Sequence, residues 1–181
     1  MAFPLKALIL TVALGGSLPV TAFAQHARDE SGHTSNQQWG ITLWGLSYHT
    51  NRNAGYETLN WGLGVRYYRR PHWRWLGKSP NNRVFLEGDV IRNSNDGLAL
   101  PVSAGTEYWT RLSPARCRLF AVGALTLAYY HYPATDRADV KFGPVPGAAV
   151  GCGPVKVNVS AVLRKSSSPL AALVASMTIV F

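Results

Sequence analysis

Val155-Lys156-Val157-Asn158-Val159-Ser160-Ala161-Val162-Leu163 is followed by Leu173-Val174-Ala175-Ser176-Met177-Thr178-Ile179-Val180-Phe181, and the two stretches decide how this chain is read. In the first, Val155, Val157, Val159, Ala161 and Leu163 are apolar while Lys156, Asn158 and Ser160 are polar. In the second, Leu173, Ala175, Met177, Ile179 and Phe181 share one face, and Val174, Ser176, Thr178 and Val180 share the other. A period of two marks a strand with two unlike faces. Strands of transmembrane barrels alternate in this way because one face meets lipid and the other a packed or wet interior.

Working outward, the same alternation recurs. Strands are predicted at Trp39 to Tyr48, Leu59 to Arg69, Arg83 to Arg92, Leu98 to Trp109, Cys117 to Tyr129 and Val145 to Cys152, ahead of the two strands of the hairpin. The prediction is all-β: an eight-stranded antiparallel transmembrane β-barrel over residues 39–181, with room inside for side chains or one slender ligand. In the second strand Trp61, Leu63, Val65 and Tyr67 face outward and Asn60, Gly62, Gly64 and Arg66 inward; in the third Phe85, Glu87 and Asp89 face inward. Arg66, Glu87, Asp89 and Glu107 then meet inside as an ion-pair network that fills and rigidifies the barrel. Tyr130 to Gly143 reads as a loop, and Pro144 and Pro146 predict weak hydrogen bonding near the upper rim.

The N-terminus reads as a processing segment. Lys6 supplies a basic region, Ala7 to Leu14 an apolar one, and Ala22-Phe23-Ala24 a cleavage signal, so residues 1–24 are a signal peptide cleaved after Ala24. Residues 25–38 read as a flexible periplasmic leader. Beyond residue 24 no apolar run reaches the ~18 residues of a spanning helix. A closed barrel is the remaining route into a membrane. The formal charge is +9; with an export signal this points to anionic lipid rather than nucleic acid. The predicted connections at the periplasmic end carry Arg69, Arg70, Arg74, Lys78, Arg83, Arg111, Arg116 and Arg118 with no acid. The outer loops mix cations with acids, and Arg52 and Arg92 are their candidates for a lipid head group. Cys117 and Cys152 fall at the lower ends of neighbouring antiparallel strands, which makes them a disulfide candidate in an oxidising compartment. Two cysteines so far apart form no metal site, no cofactor is expected, and the chain reads as a monomer.

Two places carry candidate chemistry: His49 in Ser47-Tyr48-His49-Thr50-Asn51-Arg52, and Asn93-Ser94. If the first two outer loops converge, His49 is placed to act as a general base or to activate Ser94.

The ending in alternating apolar residues and a terminal aromatic resembles the form that Gram-negative outer-membrane barrels present to their insertion machinery. From about Tyr48 to Phe181 the sequence also resembles the lipid A palmitoyltransferase (PagP) family. The resemblance is carried by His49 with Arg52, Tyr56-Glu57, Trp61-Gly62-Leu63-Gly64, Asn93-Ser94, Pro101 to Trp109, and Pro146 to Val155 in that order. It implies an outer-membrane enzyme that moves an acyl chain from a phospholipid to lipid A of lipopolysaccharide. The acyl chain would enter an interior pocket through gaps beside prolines. His49 and Ser94 match the family's His and Ser, and Asn93 stands where the family has Asp. An Asn orients a partner by hydrogen bonds but brings no charge. The alternative is a non-catalytic outer-membrane barrel that binds lipid or lipopolysaccharide.

Overall fold

A strand that keeps apolar side chains on one face only leaves its backbone donors and acceptors to be matched sideways, and closure into a ring matches them without leaving an edge. The computed structural model describes residues 37–50, 58–71, 81–94, 96–112, 117–163 and 170–181. Within them lie β1 (Gln37–His49), β2 (Leu59–Arg69), β3 (Asn82–Arg92), β4 (Leu98–Leu112), β5 (Cys117–Tyr132), β6 (Arg137–Cys152), β7 (Val155–Leu163) and β8 (Leu170–Val180). Each strand pairs antiparallel with the next, and β1 pairs with β8, giving a closed eight-stranded barrel. The signal peptide, most of the leader, Arg52 and the connections around Arg74, Pro114 and Lys165 lie outside the described residues.

The exterior is apolar. Trp61, Leu63, Leu86, Val90, Val102, Leu125, Leu127 and Phe142 are all exposed, Phe142 to 70%. So much exposed apolar side chain around a closed barrel is a lipid-facing band. Among the described residues no helix is long and apolar enough to cross a membrane, and strands do the crossing.

Several strand boundaries differ from the sequence reading, β4 for one running on from Trp109 to Leu112. Gln37 and Gln38, assigned to the leader, pair with Arg69 and Tyr68 as the start of β1. β5 runs on to Tyr132, and β6 begins at Arg137 rather than Val145, so the predicted loop shrinks to a 3-10 turn at Pro133–Thr135 followed by Asp136. Pro144 and Pro146 do not end β6, because its pairing with β5 continues through Leu125↔Pro144 and Gly123↔Pro146. Both prolines have the same parity, so their missing donors lie on the β7 side. There the pairing stops at Gly147↔Ser160. Among the described residues the weakened wall is therefore the β6–β7 seam, whose pairing is lost from Pro146 upward, on the side of the barrel end that holds His49. A smaller break lies between β3 and β4, where pairing skips from Gly88↔Val102 to Ile91↔Ala99 beside Pro101.

The half of the barrel away from His49 is filled. Arg66 Nη2 is 2.6 Å from Glu87 Oε2, Arg66 Nη1 donates to Glu107 Oε1 at 2.9 Å, and Arg83 Nη2 is 2.8 Å from Glu107 Oε2. Lys156 Nζ also pairs with Glu107 and donates to Tyr68 Oη at 2.7 Å. Thr42 Oγ1 donates to Glu87 Oε1 at 2.6 Å. Asp89 joins a different partner, accepting a bond from Trp44 Nε1 at 2.8 Å. It reaches across β2 because a Cβ on Gly64 would fall 1.7 Å from Asp89 Oδ1. Arg83, which the sequence reading left on a basic rim, turns inward with its guanidinium 3.8 Å from the Tyr68 ring centre. Phe85, Trp109 and Phe120 pack beside this cluster. At the far end Cys117 and Cys152, a cross-strand pair with Cα atoms 4.3 Å apart, are joined by a disulfide.

Candidate functional site

The site begins with a fault in β1. Gly40, Thr42 and Trp44 point inward, and strict alternation would send Leu46 and Tyr48 after them. Instead the register shifts between Trp44 and Leu46 against β2, and between Trp44 and Ser47 against β8. Against β8 the extra residue lies on β1, at Gly45–Leu46, and against β2 it lies on β2, at Asn60–Trp61; these paired β-bulges reverse which β1 side chains face the interior. Leu46 and Tyr48 are exposed on the outside, while Ser47 is buried and His49 half-buried on the inside.

Ser94 arrives from the turn that follows β3, and it too is buried. His49 Nε2 and Ser94 Oγ are 2.7 Å apart. The structure thus brings together two of the residues singled out from sequence. A third partner, Asn60 on the inward face of β2, was read as wall lining and not as part of the site. Its Nδ2 donates to Ser47 Oγ at 2.7 Å and to Ser94 Oγ at 2.9 Å. Ser47 Oγ lies 3.3 Å from His49 Nε2, closing a ring of four side chains. The signal for Asn60 was present: an amide at an inward position near a strand end, level with two polar loops. It becomes legible only once the bulge turns Ser47 and His49 toward it.

The ring has a preferred proton arrangement. With Asn60 donating into both hydroxyl oxygens, the Ser94 proton is free to point elsewhere. His49 Nε2 at 2.7 Å is a nearer acceptor than Asn60 Oδ1 at 3.3 Å. A hydroxyl donating to an imidazole nitrogen is the ground state of an activated nucleophile.

Asn93, assigned from sequence as the orienting group, works on the loop backbone. Its Nδ2 donates to His131 O at 3.1 Å and Leu98 O at 3.4 Å, and its Oδ1 accepts from Gly97 N at 3.1 Å. Gly97 permits that approach, since a Cβ there would fall 1.9 Å from His131 O. Asn93 therefore fixes the turn that presents Ser94. Arg92, assigned to a lipid head group, pairs with Asp96, whose backbone sits in the left-handed region at φ 63°. Among the described residues no group of three or more His, Cys, Asp or Glu is arranged to hold a metal ion.

These features define a class: a membrane-spanning eight-stranded barrel whose interior is plugged by charge at one end and carries a serine–histidine pair at the other. No family model matches the chain, and no curated protein matches its sequence. Among solved structures, the chain is similar to the attachment invasion locus protein Ail of Yersinia pestis, at 11% identity and a TM-score of 0.45, over 81% of this chain and 99% of that one. At that level the likeness carries no argument about function.

Proposed function

We propose that this barrel is an outer-membrane acyltransferase that moves an acyl chain from a phospholipid to a hydroxyl of lipid A. The observation that carries the reading is the 2.7 Å contact between His49 Nε2 and Ser94 Oγ at the mouth of a lipid-facing barrel. In the proposed reaction Ser94 Oγ attacks the ester carbonyl while its proton passes to His49 Nε2. The carbonyl–oxygen bond to glycerol breaks, and the departing oxygen takes the proton from His49. A lipid A hydroxyl then attacks the acyl–serine ester, gives its proton to His49, and Ser94 recovers it as its bond to the acyl group breaks. Each half reaction exchanges one ester for another and needs no cofactor.

The open β6–β7 seam supports the reading, because it starts at Pro146 and runs toward the His49 end, where an acyl chain in the bilayer has a lateral way in. The buried charge of Glu107, Arg66 and Lys156, with the half-buried Arg83 paired to Glu107, gives that chain a floor. The resemblance of His49, Asn93-Ser94 and the proline-bearing segments to lipid A palmitoyltransferases points the same way. Purified barrel in detergent, given phospholipid with a labelled acyl chain and lipid A, is expected to yield labelled lipid A. Absence of label with folded protein rejects the reading.

A second reading, a non-catalytic barrel that binds lipid, draws on Asn93. Its amide braces the loop and brings no charge where the resembling enzymes have an acid. The same labelling experiment separates the two.

A further inference from the structure

We infer that Asn60 is the positioning residue of this site, setting the direction of the Ser94 proton and stabilising the charge that develops on Ser94 Oγ as that proton leaves. The inference rests on the acyl-transfer reading and assigns to β2 the role that sequence resemblance placed at Asn93.

An amide nitrogen has two hydrogens, and Asn60 Nδ2 has two hydroxyl oxygens within reach, Ser47 Oγ at 2.7 Å and Ser94 Oγ at 2.9 Å. Each hydroxyl that accepts from Asn60 has its own proton left to donate. For Ser94 the nearest acceptor is His49 Nε2. A neutral amide thus orients the nucleophile, where a carboxylate in other hydrolytic sites orients the imidazole. As the proton moves to His49, negative charge grows on Ser94 Oγ, and the Asn60 N–H already aimed at it strengthens without reorganisation. Asn60 is itself held: it is 7% exposed, on a strand whose inward neighbours are glycines, and Ser47 anchors its second hydrogen. Ser47 is correspondingly a brace, 5% exposed and 3.3 Å from His49 Nε2.

The test uses the full-length barrel and two readouts, transfer of a labelled acyl chain and the rate at which a sulfonyl fluoride modifies Ser94. Heat-modifiable gel mobility reports that each variant remains a folded barrel. Asn60→Ala is expected to lower kcat by about 10- to 100-fold with KM for phospholipid within about twofold, and to slow Ser94 modification in proportion. Asn60→Asp, which accepts but does not donate, is expected to be at least as damaging, because it captures the Ser94 proton. A structural role would instead raise KM or lower the folded fraction, and leave the modification rate of the folded molecules unchanged. Full activity in Asn60→Ala, or retained activity in Asn60→Asp, overturns the inference while leaving the acyl-transfer reading intact. A native protein that neither transfers acyl groups nor is modified at Ser94 overturns both.

Discussion

His49 Nε2 and Ser94 Oγ are 2.7 Å apart, yet one ends β1 and the other follows β3, with β2 between them. The contact exists because β1 breaks its alternation at Gly45–Leu46, where it carries one residue more than β8 and one fewer than β2, and this turns Ser47 and His49 inward. Without that break the lumen would receive Leu46 and Tyr48, and the imidazole would face the exterior. The bulge is therefore as much a part of the site as the side chains it aims.

Deleting Gly45 should restore strict alternation, which leaves Ser47 and His49 facing inward but draws them about 3.3 Å toward Trp44 and out of step with Asn60 and Ser94. Folded barrel is expected to persist, since β1 keeps its pairing with β2 and β8 below Trp44. Acyl transfer and Ser94 modification are expected to fall together, to below about one-hundredth of native. Heat-modifiable mobility and labelled acyl transfer on the same preparation check this.

Asn93→Asp restores the acid of the resembling enzymes, yet it is expected to lower stability and not to raise activity. A carboxylate keeps the bond from Gly97 N but faces Leu98 O and His131 O with no hydrogen to offer. Leaving those carbonyls opposite a charge costs about 1–3 kcal/mol. Urea unfolding in detergent measures the cost. A gain in transfer would mean that an acid at 93, rather than the amide at 60, completes the site.

Glu107 is fully buried and meets Arg66, Arg83 and Lys156. Glu107→Gln leaves three cations with one fewer counter-charge in a low-dielectric interior, and is expected to cost about 3–5 kcal/mol. The same urea titration checks it, and a loss below about 1 kcal/mol would show that water compensates the cations.

The barrel was legible because the burial of a lipid-facing wall is a local pattern. Leu63, Val65, Leu86 and Val90 announce their face in isolation, and Arg66, Glu87 and Glu107 announce the opposite one. Features that depend on a neighbour were not legible. The upper half of β6 mixes Asp139 and Lys141 with Val140 and Phe142, so its alternation is polar enough to pass for a loop until β5 is seen paired beside it. Arg83 stands at a strand end, where a cation reads as a rim anchor; Glu107 across the β3–β4 ladder draws it in. His49 and Ser94 were visible as residue types, and the structure adds the bulge that aims one and the Asn93 turn that presents the other. Asn60 needed both before its position meant anything.

The most direct measurement is the mass of lipid A from Gram-negative cells that have no such transferase of their own, with this protein folded in their outer membrane. The account predicts lipid A heavier by one acyl chain, a gain that His49→Ala and Ser94→Ala each reduce to below about one-hundredth while the barrel still folds. Unchanged lipid A in cells holding the folded native protein would contradict it.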